Sequence, residues 1–430
     1  MAATATARPH LVRGLGGMGP FLLAAAAMFT AMYSTQAILP ELGREFSVSP
    51  SQTGLTVSVV IGALALGAWF WGPLSDRIGR RASLVLSSAV LVVPSIGLAL
   101  APSFGVLLAL RVAQGLCMPG LLTVGVPYVT EAFTERIGTR AMGLYVSALV
   151  VGGLVGRVGV ALLTAVTSWR VALAAVAALP LAATFVMRRR LPPETAAPSS
   201  AGLSLRTLRA TLANRALVAA TLTGSAMFFS FMGIFSYIDF RLERAPFSLS
   251  PALIGLVFVL WAMGAVSPLA GRLAGRHGWR AVALAGLLSA ATGITISLVA
   301  SLPVVILGLA LVTLGNFTAV TAAQLGVAGA TDRDRGLASA TYFSSYYVAG
   351  SLGAYVPGLA WQSWHWTGVW ALAAAAYAIG VGAIIATRAT LADPCAPSPA
   401  DPADSSSSSR TARACAAAPS SGSTGHGASS

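Results

Sequence analysis

The chain has 430 residues, of which only 9% are charged and 56% hydrophobic, and its mean hydropathy is +0.78. Soluble domains carry about 25% charged residues, so this composition cannot offer water an ordinary surface. The net charge of +14 comes from 27 basic residues, all arginine, placed in short segments between apolar runs rather than on one face or tail, which argues against a nucleic-acid-binding protein.

Taken in chain order, residues 1–18 form a basic tail with Arg8 and Arg13, and apolar runs of spanning length follow at 19–38, 54–74, 83–101, 105–127, 139–164 and 170–187. The first run ends in TQAILP rather than a small-residue cleavage site, so it is expected to be a retained helix and not a removed signal peptide. A polar segment at 188–215 follows. Its Pro/Ser/Ala-rich start reads as a cytoplasmic linker, and LSLRTLRATL (203–212) as a surface helix. Apolar runs resume at 216–238, 252–271, 281–299, 304–328, 336–360 and 366–387, and the low-complexity stretch 388–430 is expected to be a disordered cytoplasmic tail. The runs are about twice as long as a barrel strand needs and lack its alternation. The expectation is an all-α membrane protein of twelve transmembrane helices in two six-helix pseudo-repeat halves, 19–187 and 216–387.

Arginine placement gives the orientation. With the N-terminus inside, 21 arginines fall on the inner side and four (Arg44, Arg170, Arg241, Arg244) outside, so both termini are expected in the cytoplasm.

The second and third runs are joined by GPLSDRIGRR (72–81), which returns as GRLAGRHGWR (271–280) at an offset of 199. The copies share Gly72/Gly271, Leu74/Leu273, Arg77/Arg276, Gly79/Gly278 and Arg81/Arg280. Gly115 matches Gly315, and Tyr145, Ser147, Gly153 and Gly156 match Tyr342, Ser344, Gly350 and Gly353, so the halves are a duplication. An acid such as Asp76 is favoured beside a helix N-terminus, and arginines such as Arg77, Arg80 and Arg81 can clamp a carboxylate; the plainer alternative is a solvated positive-inside loop. The second copy has Gly275 where the acid stands in the first.

These residues carry a resemblance. GPLSDRIGRR resembles the major facilitator superfamily signature G-x-L-a-D-r-x-G-r-r between the second and third helices, and RVAQG (111–115) its fourth-helix signature R-x-x-q-G. More narrowly, MYSTQAILPELGREFSVS (32–49), GGLVGR (152–157), FSYIDFRLERAPFSLSP (235–251) and the YY..GS.G pattern at 346–353 are similar to the bacterial YnfM-like group of inner-membrane exporters. The resemblance implies a bacterial inner-membrane carrier, with a gate in which Asp76 caps the eleventh helix in one conformer and an arginine reaches an acid at the end of the fourth, here Glu131. Gly143, Gly152 and Gly156 fit the family's antiporter spacing G-x8-G-x3-G-P, but Arg157 stands where the proline belongs.

Arg111 and Arg157 lie 8 and 11 residues inside their helices, hence about 12 and about 16 Å deep in a ~30 Å core. An arginine there costs at least ~2.5 kcal/mol and should face a cavity or a partner. The pair could bind an anionic group, or Arg111 could simply bond backbone carbonyls. Tyr33, Gln36, Gln114, Tyr237, Asn316, Gln324, Tyr346 and Tyr347 are further polar groups on apolar helices, each explicable as a helix-to-helix hydrogen bond and together a plausible cavity lining. No carboxylate falls at mid-membrane; Asp239, at the end of the seventh run beside Arg241, is the candidate for proton coupling, with an outer-loop ion pair as its plainer role. The three cysteines give no disulfide or metal framework, and no nucleophile–base pair or phosphate-binding GxxxxGK[ST] loop is present. The expected function is therefore secondary transport, not enzymatic, without cofactor or metal. The chain is expected to act as a monomer on a small organic solute or drug, exported with protons as coupling ion. The alternative is an organic-anion carrier or exchanger using Arg111 and Arg157; a receptor on a transporter scaffold is disfavoured by the absence of a signalling domain.

Overall fold

The computed structural model describes residues 17–125, 128–129, 135–191, 214–330 and 335–389, without the side chains of 135–139, 335–336 and 388–389. The expected linker helix, most of the tail and Glu131 lie outside these residues.

Ten apolar helices follow one another. In the first half they are α1 (Gly19–Phe46), α2 (Pro50–Ile78), α3 (Arg80–Ala99), α4 (Phe104–Leu122), α5 (Arg140–Val166) and α6 (Trp169–Arg190). The second half continues with α7 (Arg215–Glu243), α8 (Pro251–His277), α9 (Trp279–Ile296) and α10 (Leu302–Ala328). An eleventh apolar stretch, Leu337–Thr387, holds 51 residues, which as one straight rod would run about 76 Å against a core of ~30 Å. It is not one rod. His365 has φ 47° and ψ −132°, and the break separates α11 (337–364) from α12 (366–387), completing two sets of six.

The helices start where polar caps meet the apolar runs. Ser49 makes a capping box with Gln52, Ser103 and Ser168 accept from Val106 N and Val171 N, and Asn214 accepts from Ala216 N and Leu217 N. The repeated loops turn at their shared glycine: Gly79 has φ 92° and Gly278 φ 82°, a region that side chains with a Cβ disfavour. The duplication is thus a duplication of backbone geometry as well as of letters.

Within the first half, α1 lies directly on α5. A Cβ on Gly152 would sit 2.2 Å from the Ala26 carbonyl oxygen and one on Gly156 2.6 Å from that of Thr30, and Thr30 Oγ1 donates to Gly152 O at 2.9 Å. The four-residue glycine spacing therefore serves close helix approach. α1 and α7 are the most enclosed helices, each 78% buried over its most apolar window, against 22% for α8. They form the centre, while Val93, Leu100 and Val166 on the periphery are exposed, as lipid-facing residues are.

Two helices run further than their apolar runs. α1 continues to Phe46 and α7 to Glu243, so Glu41 and Asp239 sit inside helical segments. The two halves meet along a seam at the end that the arginine count places outside, hereafter the outer end. Gln36 Nε2 of α1 donates to Ser236 Oγ of α7 at 3.2 Å, and Arg44 of α1 pairs with Glu243 of α7. Between α2 and α11, Ser351 Oγ donates to Ser58 O at 2.8 Å and Gln362 Nε2 to Ser51 Oγ at 2.5 Å. The hydrogen bonds described between the halves all lie at Gln36, at Ser58 or further toward this end.

Candidate functional site

The centre of the seam is built around Arg157. Residues Val155–Gly159 of α5 form a π-helical turn, and the facing stretch Phe258–Val266 of α8 is wound as a 3₁₀ helix. Such departures inside long helices recur at functional positions because they re-aim side chains and free backbone groups. Here they bring Arg157 of the first half against Trp261 of the second.

The Arg157 guanidinium lies between two rings, its central carbon 3.6 Å from the Tyr33 centroid and 3.4 Å from that of Trp261. A desolvated cation on an aromatic face gains about 2 kcal/mol, which offsets much of the cost of burying it. Its edge is only partly satisfied: Nε donates to Gln36 Oε1 at 2.8 Å and one terminal nitrogen to Gly153 O at 2.8 Å. The other, Nη2, is buried without an acceptor, as is the indole Nε1 of Trp261. Phe231, Phe235 and Phe258 complete the surrounding aromatic cluster.

Gln36 links this cation to α7, because its amide nitrogen holds Ser236 while its oxygen holds Arg157. One turn beyond Ser236 lies Asp239, fully buried with neither carboxylate oxygen hydrogen-bonded. The expected outer-loop pairing with Arg241 is not made: Arg241 points to the carbonyls of Leu298 and Val299 and to the Trp366 ring. The physical reason is the length of α7, which carries Asp239 round to the face that meets α1.

Arg111 takes the second of its two expected roles. Its Nε donates to Thr56 O at 2.7 Å, Nη1 to Ala31 O and Gln114 Oε1 at 2.8 Å each, and Nη2 to Met32 O at 2.5 Å. Gln114 is held in turn by donating to Ser95 Oγ at 2.9 Å. Four bonds to α1, α2 and α4 make Arg111 a brace within the first half, and as cavity ligands both it and Gln114 are corrected.

The other expected lining residues divide. Tyr237 donates to Ala354 O at 2.9 Å and is wholly enclosed, so it packs the seam rather than lining a space. Asn316 is buried with its carbonyl oxygen unpartnered, and Tyr346 stacks on Phe228 at 4.1 Å, partly exposed. In the signature loop, Arg80 Nη1 donates to Asp76 Oδ1 at 2.7 Å and to Ser75 Oγ at 2.9 Å. Arg81 caps the end of α6, giving Nε to Leu191 O at 2.9 Å and Nη2 to Arg188 O at 3.1 Å. That satisfies terminal carbonyls where a cation is favoured. Arg77 and Arg276 are exposed, and a Cβ on Gly72 would meet nothing.

Sequence reading missed Trp261 and the Ser236 relay. Neither residue type stands out in an apolar helix; the only hint was that Arg157 at mid-membrane needed a partner from somewhere.

The Major Facilitator Superfamily sequence model matches residues 21–245 and 242–418. The chain is 30% identical over 358 residues to the inner membrane transport protein YnfM of Escherichia coli, covering 82% of this chain and 85% of that protein. It is 32% identical over 195 residues to the multidrug resistance protein MdtM of Escherichia coli, covering 44% and 47%. Among solved structures, an inward-facing, occupied bacterial homologue of the human lysosomal transporter Spinster superposes with a TM-score of 0.71 at 18% identity, covering 89% of this chain and 98% of that one.

Proposed function

The chain belongs to the major facilitator superfamily, a family of membrane transporters, and on that premise we propose that it exports a small organic solute by alternating access with protons as the coupling ion. The observation that carries this reading is the one-sided seam: every described hydrogen bond between the halves lies at the outer end, from Gln36–Ser236 to Arg44–Glu243 and Ser58–Ser351. Two bodies whose described fastenings gather at one end are what a rocking carrier presents in one of its two states. The similarity to a multidrug resistance protein supports export and the arginine count supports cytoplasmic termini.

In this reading Asp239 carries the proton, since it is a buried carboxylate on the moving interface with no fixed partner. Asp76, Arg77, Gly79, Arg80 and Arg81 form the inner gate, closing when the outer seam parts. The second half, with Arg276 but Gly275 in place of the acid, contributes no equivalent cap.

A second reading, an organic-anion carrier, is favoured by one observation: the buried Nη2 of Arg157 lacks an acceptor. Arg111 drops out of that reading because each of its three nitrogens donates within its own half.

The test is double electron–electron resonance on purified protein in nanodiscs, with nitroxides at Thr167→Cys and Ala300→Cys on the outer ends of the two halves. Cys117, Cys395 and Cys415 are replaced by serine. Two distance populations exchanging with pH are expected; a single distance at every pH overturns the reading.

A further inference from the structure

The stacked pair at the seam leaves two hydrogen-bond donors without acceptors: Arg157 Nη2 on the first half and Trp261 Nε1 on the second. They belong to groups in contact, the guanidinium carbon lying over the indole ring 3.4 Å from its centroid. Buried donors left unpaired are costly, so two on groups in contact mark a place poised to take an acceptor. What both want is an acceptor. A carboxylate is acceptor-only and charged, with two oxygens to share between two donors, whereas an amide offers one uncharged oxygen and an ammonium none.

The chain does not fill this place itself. Asp239 is the nearby buried carboxylate, and it bonds neither donor. The remaining surroundings are rings: Tyr33, Phe231 and Trp261 at the pair, with Phe29, Tyr346 and Tyr347 partly exposed among the aromatics of the two halves. A flat ring system is the body that such walls accept.

We propose that the transported solute is a flat, aromatic-bodied carboxylate whose carboxylate bridges Arg157 Nη2 of one half and Trp261 Nε1 of the other. The proposal rests on the carrier reading above and gives it a substrate class. It also explains why an arginine occupies the position after Gly156, where the antiporter spacing calls for proline: the site needs a fork-shaped donor whose faces can be stacked while its edge binds. Because the two donors belong to different halves, the bound anion adds a second tie to a contact that the halves already make when empty.

The experiment is calorimetric titration of the purified full-length protein with 1-naphthoate, 1-naphthamide, 1-naphthylmethylammonium and acetate. Naphthoate is expected to bind, with the amide, the ammonium and acetate each weaker by about tenfold or more, as the loss of a charge-assisted bond or of the ring contact dictates. Arg157→Gln should weaken naphthoate by about tenfold or more, and Arg157→Lys less. Trp261→Phe, which keeps a ring and deletes the N–H, should weaken it by about fivefold. Each variant is first checked for a monodisperse elution and native helicity, and Arg157→Lys serves if Arg157→Gln fails to fold. Equal binding of amide and carboxylate, or native affinity in Arg157→Gln or Trp261→Phe, overturns the bridge. Binding is read independently of transport: flux of another solute without naphthoate binding sinks the bridge and leaves the carrier standing, whereas naphthoate binding lost in Arg157→Gln supports the bridge whatever the spin-label distances show.

Discussion

Arg157 and Trp261 stack across the boundary between the halves, with 3.4 Å between guanidinium carbon and indole centroid, each in an irregular turn of its helix. The contact is made by bodies that alternating access must separate, so it stabilises one conformer only. Trp261→Ala should remove about 1–2 kcal/mol of that preference and raise the outer-open population roughly five- to thirtyfold. Spin-label distances at Thr167→Cys and Ala300→Cys would measure it; an unchanged distribution contradicts the assignment.

Arg111 makes its contacts within one half, so its replacement should act on folding and not on conformational balance. Arg111→Ala is expected to lower stability by about 2–4 kcal/mol, and Arg111→Lys to restore little because a point charge cannot serve four divergent acceptors. Thermal unfolding in detergent reads the loss, and solute affinity per folded molecule should be unchanged.

The glycines of α5 offer a matched control. A methyl at Gly152 would meet the Ala26 backbone at 2.2 Å, whereas one at Gly143 meets nothing within 4 Å. Gly152→Ala should cost about 1–3 kcal/mol through forced separation of α1 and α5, while Gly143→Ala should be neutral or slightly stabilising. Equal thermal midpoints for the two variants would show that the close approach is not required.

Much of this was legible beforehand, for reasons visible in individual residues. Gly79 and Gly278 share a letter, an offset and a positive φ because a sharp turn between spanning helices tolerates few alternatives. Gly152 and Gly156 announced a close helix pair through their spacing alone. Arg111 and Arg157 could not be told apart, since depth in the bilayer follows from residue counting, but the bonding partner depends on which way the side chain leaves its helix. Asp239 was found at the end of the seventh run, but not its lack of a partner, because hydropathy faded at residue 238 while helical hydrogen bonding carried α7 on to Glu243. Trp261 was invisible: an indole in an apolar run carries no sign that its ring faces a cation from the other half.

The charges that act on Asp239 are Glu243 on its own helix, Glu41 on α1 and Arg157 on α5, with no acid or base on the outer turns of α8 or on α10. Asp239→Asn should abolish the pH dependence of the distance distribution and of any proton-driven flux while leaving the protein folded. Retention of both in the variant would move the coupling role to Glu41 or Glu243.

Arg44 and Glu243 close the rim of the same seam at the surface. An exposed pair of this kind contributes about 0.2–1 kcal/mol, so Arg44→Ala should shift the equilibrium by only about two- to fivefold. The exchange Arg44→Glu with Glu243→Arg should recover only part of that shift, because Arg44 also pairs with Glu41 at 3.1 Å and the exchange sets a like charge there, and added salt should mimic the single variant. A double variant no better than either single one would place the stabilisation elsewhere.

Because the described fastenings all sit at one end of the molecule, an idle copy of this protein rests plugged on that side by its own arginine and indole. In the proposed cycle, backflow through an empty carrier would have to pull that stopper first, so the same stack would keep the bilayer from being short-circuited between turnovers.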